Sequence, residues 1–286
     1  MKRNTAAITG STGGIGKEVS KILAGKGWNL VLINRSRDRS ENQCSELKEA
    51  YPDQSFISYA ADMMDLSEVS EVAKEVGSRH PEIQALYNIA GILTDKRVNS
   101  AQGIESHFAV NVLAPYLLLQ KLRSSLGGKS ESDPKSVVVN FASSAIKSVK
   151  QLDVSKLPNP DDIGGLMGAY ATTKLAVTMV AEIWERELAG EGILIHSVDP
   201  GPTKTPMTGS SDGMPWFIRL LQPLLFKSPE AQAEKLVDAV EAGVEEGASG
   251  LYISEGKRAK APAIVKDTEI QEALRKLLEE NTREFM

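Results

Sequence analysis

The sequence predicts an α/β chain built on a single doubly wound parallel sheet of about seven strands, with helices on both faces. Three observations carry that prediction. Short apolar runs alternate with longer stretches of helical periodicity along nearly the whole chain. The runs are short and largely apolar, as in strands buried on both faces of a parallel sheet. No linker rich in Gly, Ser or Pro separates independent halves and no internal repeat is present, so the 286 residues read as one domain, 1–286.

The elements follow in order. AAIT (6–9) is the first strand. Ile15, Val19, Ile22 and Leu23 then recur at helical spacing, and Gly25 and Gly27 supply a stop. NLVLIN (29–34) is the second strand, and a helix over 39–50 ends before Tyr51-Pro52. SFISYA (55–60) is the third strand, followed by a helix marked by Leu66, Val69, Val72, Ala73 and Val76. ALYNIA (85–90) is the fourth, and 102–126 a long helix. SVVVNFAS (136–143) is the fifth, and 168–189 a helix with Leu175, Met179, Ile183 and Leu188 on or near one stripe. ILIHSV (193–198) is the sixth. Ser228-Pro229-Glu230 opens another helix, with Ser as cap and Pro in the first turn. GLYIS (250–254) is the seventh strand, and Asp267 caps a final helix reaching about residue 284. Two irregular segments, 144–167 and 200–227, interrupt the alternation. Both follow strands, so both belong to the carboxyl edge of the sheet, where open α/β sheets bind ligands.

Hydrophobic residues make up 41% and charged residues 25%, ordinary for a soluble globular chain. The net charge of −5 offers no basic stripe for nucleic acid. The single cysteine, Cys44, cannot form an internal disulfide, which fits a reducing compartment and a cytoplasmic location. MKRNTAAITG enters a strand-like run without a signal-peptide core, and no segment approaches the roughly 20 apolar residues of a membrane span. His80, His107 and His196 are scattered and none pairs closely with another His or a Cys, so zinc-ligand spacing is lacking. No G-x-S-x-G elbow supplies a hydrolase nucleophile.

The first strand runs into TGSTGGIG (9–16) and then a helix. Gly10, Gly14 and Gly16 permit a tight turn and close backbone approach, and the helix start presents free N–H groups to a phosphate. That context makes Gly10, Ser11, Thr12, Gly14, Ile15 and Gly16 a candidate dinucleotide site. NAD enzymes commonly carry an acid at the end of the second strand, on the ribose 2′-hydroxyl. Here that stretch reads Ile33-Asn34-Arg35-Ser36, with Arg37 and Arg39 nearby. No carboxylate repels a 2′-phosphate, and Arg35 can pair with one, so the expected cofactor is NADP(H). In GAYATTKLAV (168–177), Tyr170 and Lys174 share a helix face. Taken alone, the pair reads as a packed aromatic beside a solvated lysine.

In company it reads otherwise. The spacing G-x-x-x-G-x-G at 10–16, the Y-x-x-x-K at 170–174, NFASSA (140–145), HFAVNVLAPYLL (107–118), NIAG (88–91) and DPGPTKT (199–205) occur in the order of the short-chain dehydrogenase/reductase superfamily, which the chain resembles from about residue 5 to 205. The resemblance implies a Rossmann-like fold and hydride transfer with a nicotinamide cofactor. It implies Ser143 and Asn111 as partners of Tyr170 and Lys174 in catalysis. It implies Asp62 on the adenine amino group with the backbone of Met63 beside it. Asn88, Ala90 and Gly91 fall near the adenine ribose, although Ile89 departs from the family's N-N-A-G. Pro200, Gly201, Thr203 and Thr205 fall near the nicotinamide half, with Thr203 in place of the family's Val. On this reading Lys174's charge and that of oxidised nicotinamide lower the Tyr170 pKa, Tyr170 exchanges a proton with the substrate oxygen, Ser143 holds that oxygen, and Asn111 keeps a water that links Lys174 to solvent.

The 26 residues between Ser143 and Tyr170 resemble the retinol dehydrogenase-like and protochlorophyllide reductase-like branch. MPWFIRLLQPLLF (214–226) is either a helix packed on the core or an apolar lid; as a lid it implies a hydrophobic carbonyl or alcohol substrate, with weak peripheral membrane contact as a related possibility. KRAK (257–260) reads as a solvated basic patch. The family suggests a homo-oligomer paired through helices 102–126 and 168–189. The expected function is NADP(H)-dependent carbonyl reduction or alcohol oxidation. The alternatives are C=C reduction at the same site and a non-catalytic NADP-sensing or scaffold protein.

Overall fold

Alternating strands and helices build one eight-stranded sheet in the computed structural model, which describes residues 3–127, 135–204 and 226–286. The strands are β1 (Thr5–Thr9), β2 (Asn29–Asn34), β3 (Phe56–Ala60), β4 (Ala85–Asn88), β5 (Ser136–Phe141), β6 (Ile193–Asp199), β7 (Leu251–Ser254) and β8 (Lys257–Ala259), in the order β3-β2-β1-β4-β5-β6-β7-β8. The first seven run parallel; β8 returns antiparallel to β7. Connecting them are α1 (Gly14–Gly25), α2 (Arg37–Ala50), α3 (Leu66–Arg79), α4 (106–126), α5 (Ala169–Ala189), α6 (Pro229–Glu245) and α7 (Thr268–Thr282).

Strand residues serve two cores because successive side chains point to opposite faces. Ala6, Ile8, Leu30, Leu32, Val137 and Val139 pack with Val19 and Leu23 of α1 and Leu236, Val237 and Val240 of α6. Ala7, Val31, Ile33 and Val138 pack on the other face with α3, α4 and α5. The edge strand β3 departs from the expectation of burial on both faces, since Ile57 and Ala60 are exposed.

Three further differences from the sequence reading have local causes. KRAK is exposed as expected, but its first three residues form the eighth strand. The two-residue turn Glu255–Gly256, with φ of 52° and 79°, reverses the chain between Ser254 and its partner Lys257. The long helix starts at 106 rather than 102, because the Glu105 carboxylate accepts the N–H groups of His107 and Phe108 and caps it there. The insert 144–167 is not a bare loop: it carries three 3₁₀ turns and buries Ile146, Val154 and Leu157.

The C-terminal helix α7 is capped by Asp267 and buries Leu274 and Leu278. Its Arg275 guanidinium lies 4.6 Å from the Trp184 ring centroid on α5 and donates to the Ile183 carbonyl. Lys121 of α4 donates to the Phe285 and Met286 carbonyls. Residues of α7 and the segment after it therefore pack against α5 and α4. Among the described residues, no helix is long and apolar enough to cross a membrane.

His196, on β6, is fully buried against Gly243 of α6, and neither ring nitrogen has a hydrogen-bond partner among the described residues. Burial pushes its pKa down to about 4. The unfolded chain takes up a proton near pH ~6.5 that the folded chain refuses. Stability is therefore lost as pH falls from about 6.5 to about 4, by about 3 kcal/mol, and this contribution is flat below that. Urea unfolding at pH 7 and near pH 4.5 checks this: His196→Leu removes that component of the acid sensitivity, and an unchanged pH dependence in the variant refutes the assignment.

Candidate active site

The glycine loop is a cradle of bare backbone. Gly10 and Gly14 adopt φ of 69° and 52°, a region that favours glycine. A Cβ on Gly10 would stand 2.8 Å from the Ala90 nitrogen, and one on Gly16 2.2 Å from the Gly10 oxygen. No side chain caps the first turn of α1, whereas Ser36, Asp65, Ser228 and Asp267 cap α2, α3, α6 and α7. Among the described residues these amides have no side-chain cap, and glycine backbone around them fits the pyrophosphate of a dinucleotide. Thr12 is half-buried beside them and Ile15 is buried beneath. Thr9 closes the cradle from below: its Oγ1 accepts the N–H groups of Ile89 and Ala90, both at 3.1 Å.

Past the end of β2, Arg35, Ser36, Arg37 and Arg39 are exposed, and Ser36 Oγ accepts the Arg39 N–H to cap α2. Asn34 points inward: its Oδ1 accepts the Ser11 N–H at 2.8 Å, and its Nδ2 donates to Ser11 Oγ and Ser40 Oγ. Asp62 is half-buried; its Oδ1 accepts the Met64 N–H, and its own N–H donates to Glu68. Met63 is buried. Asn88 Nδ2 donates to Asn140 Oδ1 at 2.9 Å and ties β4 to β5, while Ala90 and Gly91 stay half-buried beside the loop. A cavity of about 520 Å³ lies further out against edge strand β3, lined by Arg37, Arg79, Tyr59 and four glutamates. That acidic lining disfavours a phosphate, so the cradle rather than that cavity marks the candidate site.

Tyr170, Lys174, Ser143 and Asn111 come together at the carboxyl ends of β4 and β5. Tyr170 and Lys174 lie one turn apart near the start of α5, and both are buried. Ser143 lies close enough to the Tyr170 phenol to pull its pKa down, and accepts the Ala145 N–H at the head of a 3₁₀ turn. Lys174 Nζ donates to the Phe141 carbonyl at 2.7 Å, at the end of β5, and stands 5.8 Å from the Tyr170 ring centroid. Asn111 sits within a π-helical turn, Ala109–Leu113, inside α4, an irregularity frequent at functional sites. Its amide accepts the Ile92 N–H and donates to the Ile92 carbonyl and to Thr173 Oγ1.

The chain's own groups do not supply the lowering expected of Lys174. Burial pushes the Tyr170 phenol up to about 12; the Ser143 hydrogen bond pulls it down and the charge of Asp199 pushes it up. Burial lowers Lys174 to about 8, against the opposing pull of Asp199. The chain's own environment thus keeps Tyr170 protonated instead of lowering its pKa, because desolvation of the buried phenol outweighs its polar neighbours.

Beyond β6, Asp199 holds the next turn: Oδ1 accepts the Gly201 N–H at 2.8 Å and Oδ2 accepts Ser254 Oγ at 2.9 Å. Gln232 donates to the Pro200 carbonyl, and buried Thr203 donates to the Gly201 carbonyl. Thr205 and residues 214–225 of the expected lid lie outside the described residues. Phe226 is described, and packs with Leu93 and Tyr170 in a small apolar cluster at the site.

Sequence reading missed several residues here. Thr9 was signalled by its place as the last residue of β1, directly before Gly10. Asp199 was quoted within DPGPTKT but given no part. Gln43 had no signal, since it sits in a helix that is polar almost throughout. Glu105 and His107 form a buried pair, 2.8 Å apart, with the His107 ring edge-on to Tyr170; only their i, i+2 spacing was visible.

Sheet order, cradle and Tyr–Lys–Ser cluster define a Rossmann-like oxidoreductase. The family profile described as "short chain dehydrogenase" matches residues 4–154 and 161–215, and the chain belongs to that family. It is 27% identical to mouse (Mus musculus) retinol dehydrogenase 13 over 98% of this chain and 83% of that protein. It is 28% identical to mouse polyprenol dehydrogenase over 94% of this chain and 81% of that protein. An alcohol dehydrogenase from the archaeon Thermococcus sibiricus, complexed with 5-hydroxy-NADP, superposes with a TM-score of 0.66 at 21% identity, covering 91% of this chain and 98% of that one.

Proposed function

We propose that this chain is an NADP(H)-dependent oxidoreductase acting between a carbonyl and an alcohol on a hydrophobic substrate, with Tyr170 as its acid–base group. The observation that carries the reading is the buried Tyr170, one turn from a Lys174 anchored on β5, with Ser143 close enough to pull on its phenol. When bound, the nicotinamide supplies or takes the hydride. Ser143 orients the substrate oxygen, and Tyr170, kept protonated by burial, donates its proton to that oxygen as it gains charge. Asn111 acts through the π turn and Ile92, fixing the segment that carries Leu93 into the site.

The apolar cluster of Leu93, Tyr170 and Phe226 supports a hydrophobic substrate, as do the retinol and polyprenol in the names of the relatives. Cys44 as the single cysteine supports a reducing, cytoplasmic setting. The NADP preference rests on exposed Arg35 beside a β2 end without a carboxylate. Arg35→Ala is expected to weaken NADPH binding about 10- to 100-fold and leave NADH nearly unchanged. Fluorescence titration with both cofactors tests this, and equal affinities untouched by the substitution reject the NADP assignment. The wider reading is tested by an NADPH-oxidation screen over apolar aldehydes, ketones and enones. Cofactor binding without turnover across that panel favours a sensor instead.

A further inference from the structure

Resting on the reading of the cradle as a dinucleotide site, we propose that Asn34, Ser40 and Gln43 are positioning residues for the glycine loop, and that Asn34 does not read the ribose. Discrimination between NADP and NAD then falls on Arg35 alone among the residues at the end of β2.

The side chain of Asn34 is fully committed inside the protein. The residue is 4% exposed. Both Nδ2 hydrogens are used, to Ser11 Oγ at 2.8 Å and Ser40 Oγ at 2.9 Å, and Oδ1 accepts the Ser11 N–H at 2.8 Å. Gln43 completes the knot from α2: its Oε1 accepts Ser11 Oγ and its Nε2 donates to the Ser11 carbonyl, both at 2.9 Å. Ser11 and Ser40 are fully buried and Gln43 is 5% exposed. Every polar atom of Ser11 is therefore held by a side chain from β2 or α2. Ser11 follows Gly10, which is itself bonded through its N–H to the Ile33 carbonyl. The knot thus sets the path of the backbone that must meet the phosphates.

The donor count explains the amide at position 34. The Ser11 hydroxyl hydrogen is given to Gln43, so Ser11 Oγ turns an acceptor lone pair toward Nδ2 of Asn34. A carboxylate there loses both Nδ2 donations, sets itself against the Ser11 hydroxyl that is turned to Gln43, and buries a charge. An acid at this position disrupts the loop before it gains a ribose contact.

The test uses the whole protein with NADPH and NADH titrated separately, each variant also being melted by circular dichroism. Asn34→Asp and the near-isosteric Gln43→Met are expected to weaken both cofactors about tenfold or more, with the wild-type NADPH:NADH ratio kept. Arg35→Ala is expected to change that ratio. An Asn34→Asp variant that gains NADH while losing NADPH overturns the proposal. So does a Gln43→Met variant that melts earlier yet binds both cofactors as wild type, since that is a purely structural role. If Asn34→Asp does not fold, Gln43→Met and Ser40→Ala decide on the same criteria. Wild-type protein that binds neither cofactor rejects the dinucleotide reading itself, and this proposal with it; wild-type binding with unaffected variants rejects the proposal alone.

Discussion

Tyr170→Phe is expected to lower turnover by roughly 10²- to 10⁴-fold, the range of a lost general acid, while leaving cofactor affinity close to wild type. The substitution removes one oxygen. The ring keeps its packing against Leu93 and Phe226 and its edge-on contact with His107, so the fold has no reason to shift. Lys174 keeps its bond to the Phe141 carbonyl, because that anchor lies on β5 and not on the phenol. Steady-state rates on the best substrate of the carbonyl screen, beside a NADPH titration, separate the two effects. Full activity in the variant removes Tyr170 from the chemistry. The pH dependence carries a second signature. Since burial holds the phenol up to about 12, the proton needed for carbonyl reduction is not lost as pH rises through neutrality.

Gly16→Ala is expected to reduce affinity for both NADPH and NADH on the order of 10²-fold, with a stability loss of about 1–3 kcal/mol. The added Cβ would lie 2.2 Å from the Gly10 oxygen and 2.9 Å from the Gly10 carbonyl carbon. Both are backbone atoms, so no side chain can swing aside and the loop must open. Gly25→Ala is the control. It sits at the end of the same helix, and its Cβ would meet only the Tyr51 hydroxyl at 3.4 Å. It is expected to stabilise the fold by about 0.4–1 kcal/mol and leave binding alone. Calorimetric titration and thermal melts of both variants check the pair; wild-type affinity in Gly16→Ala refutes the close approach at the cradle.

The parts of the site legible in the sequence were those written as short-range spacing. Glycines at 10, 14 and 16 and a tyrosine four residues before a lysine are local patterns whose geometry follows from one turn or one helix. Asn34 was placed correctly at the end of β2, but its partner Ser40, and Gln43 that shares Ser11 with it, lie on α2, a helix polar almost throughout, where periodicity carries little information. KRAK looked like a solvated patch because its side chains are exposed. Strand β8 exists because the Glu255–Gly256 turn brings those residues back to β7, a pairing no apolar alternation announces.

The sequence by itself determined the alternation of strands and helices, the bare loop at the head of α1, and the helix face shared by Tyr170 and Lys174. These rest on the period of the chain and on which residues tolerate a tight backbone. Only the tertiary structure decided where Asn34 spends its hydrogen bonds, that the Tyr170 phenol is raised rather than lowered, and that the C-terminal helix lies on α5. Those outcomes depend on burial and on neighbours from 6 to 92 residues away in the chain. Desolvation and hydrogen-bond satisfaction are properties of the assembled surroundings, and no local pattern encodes them.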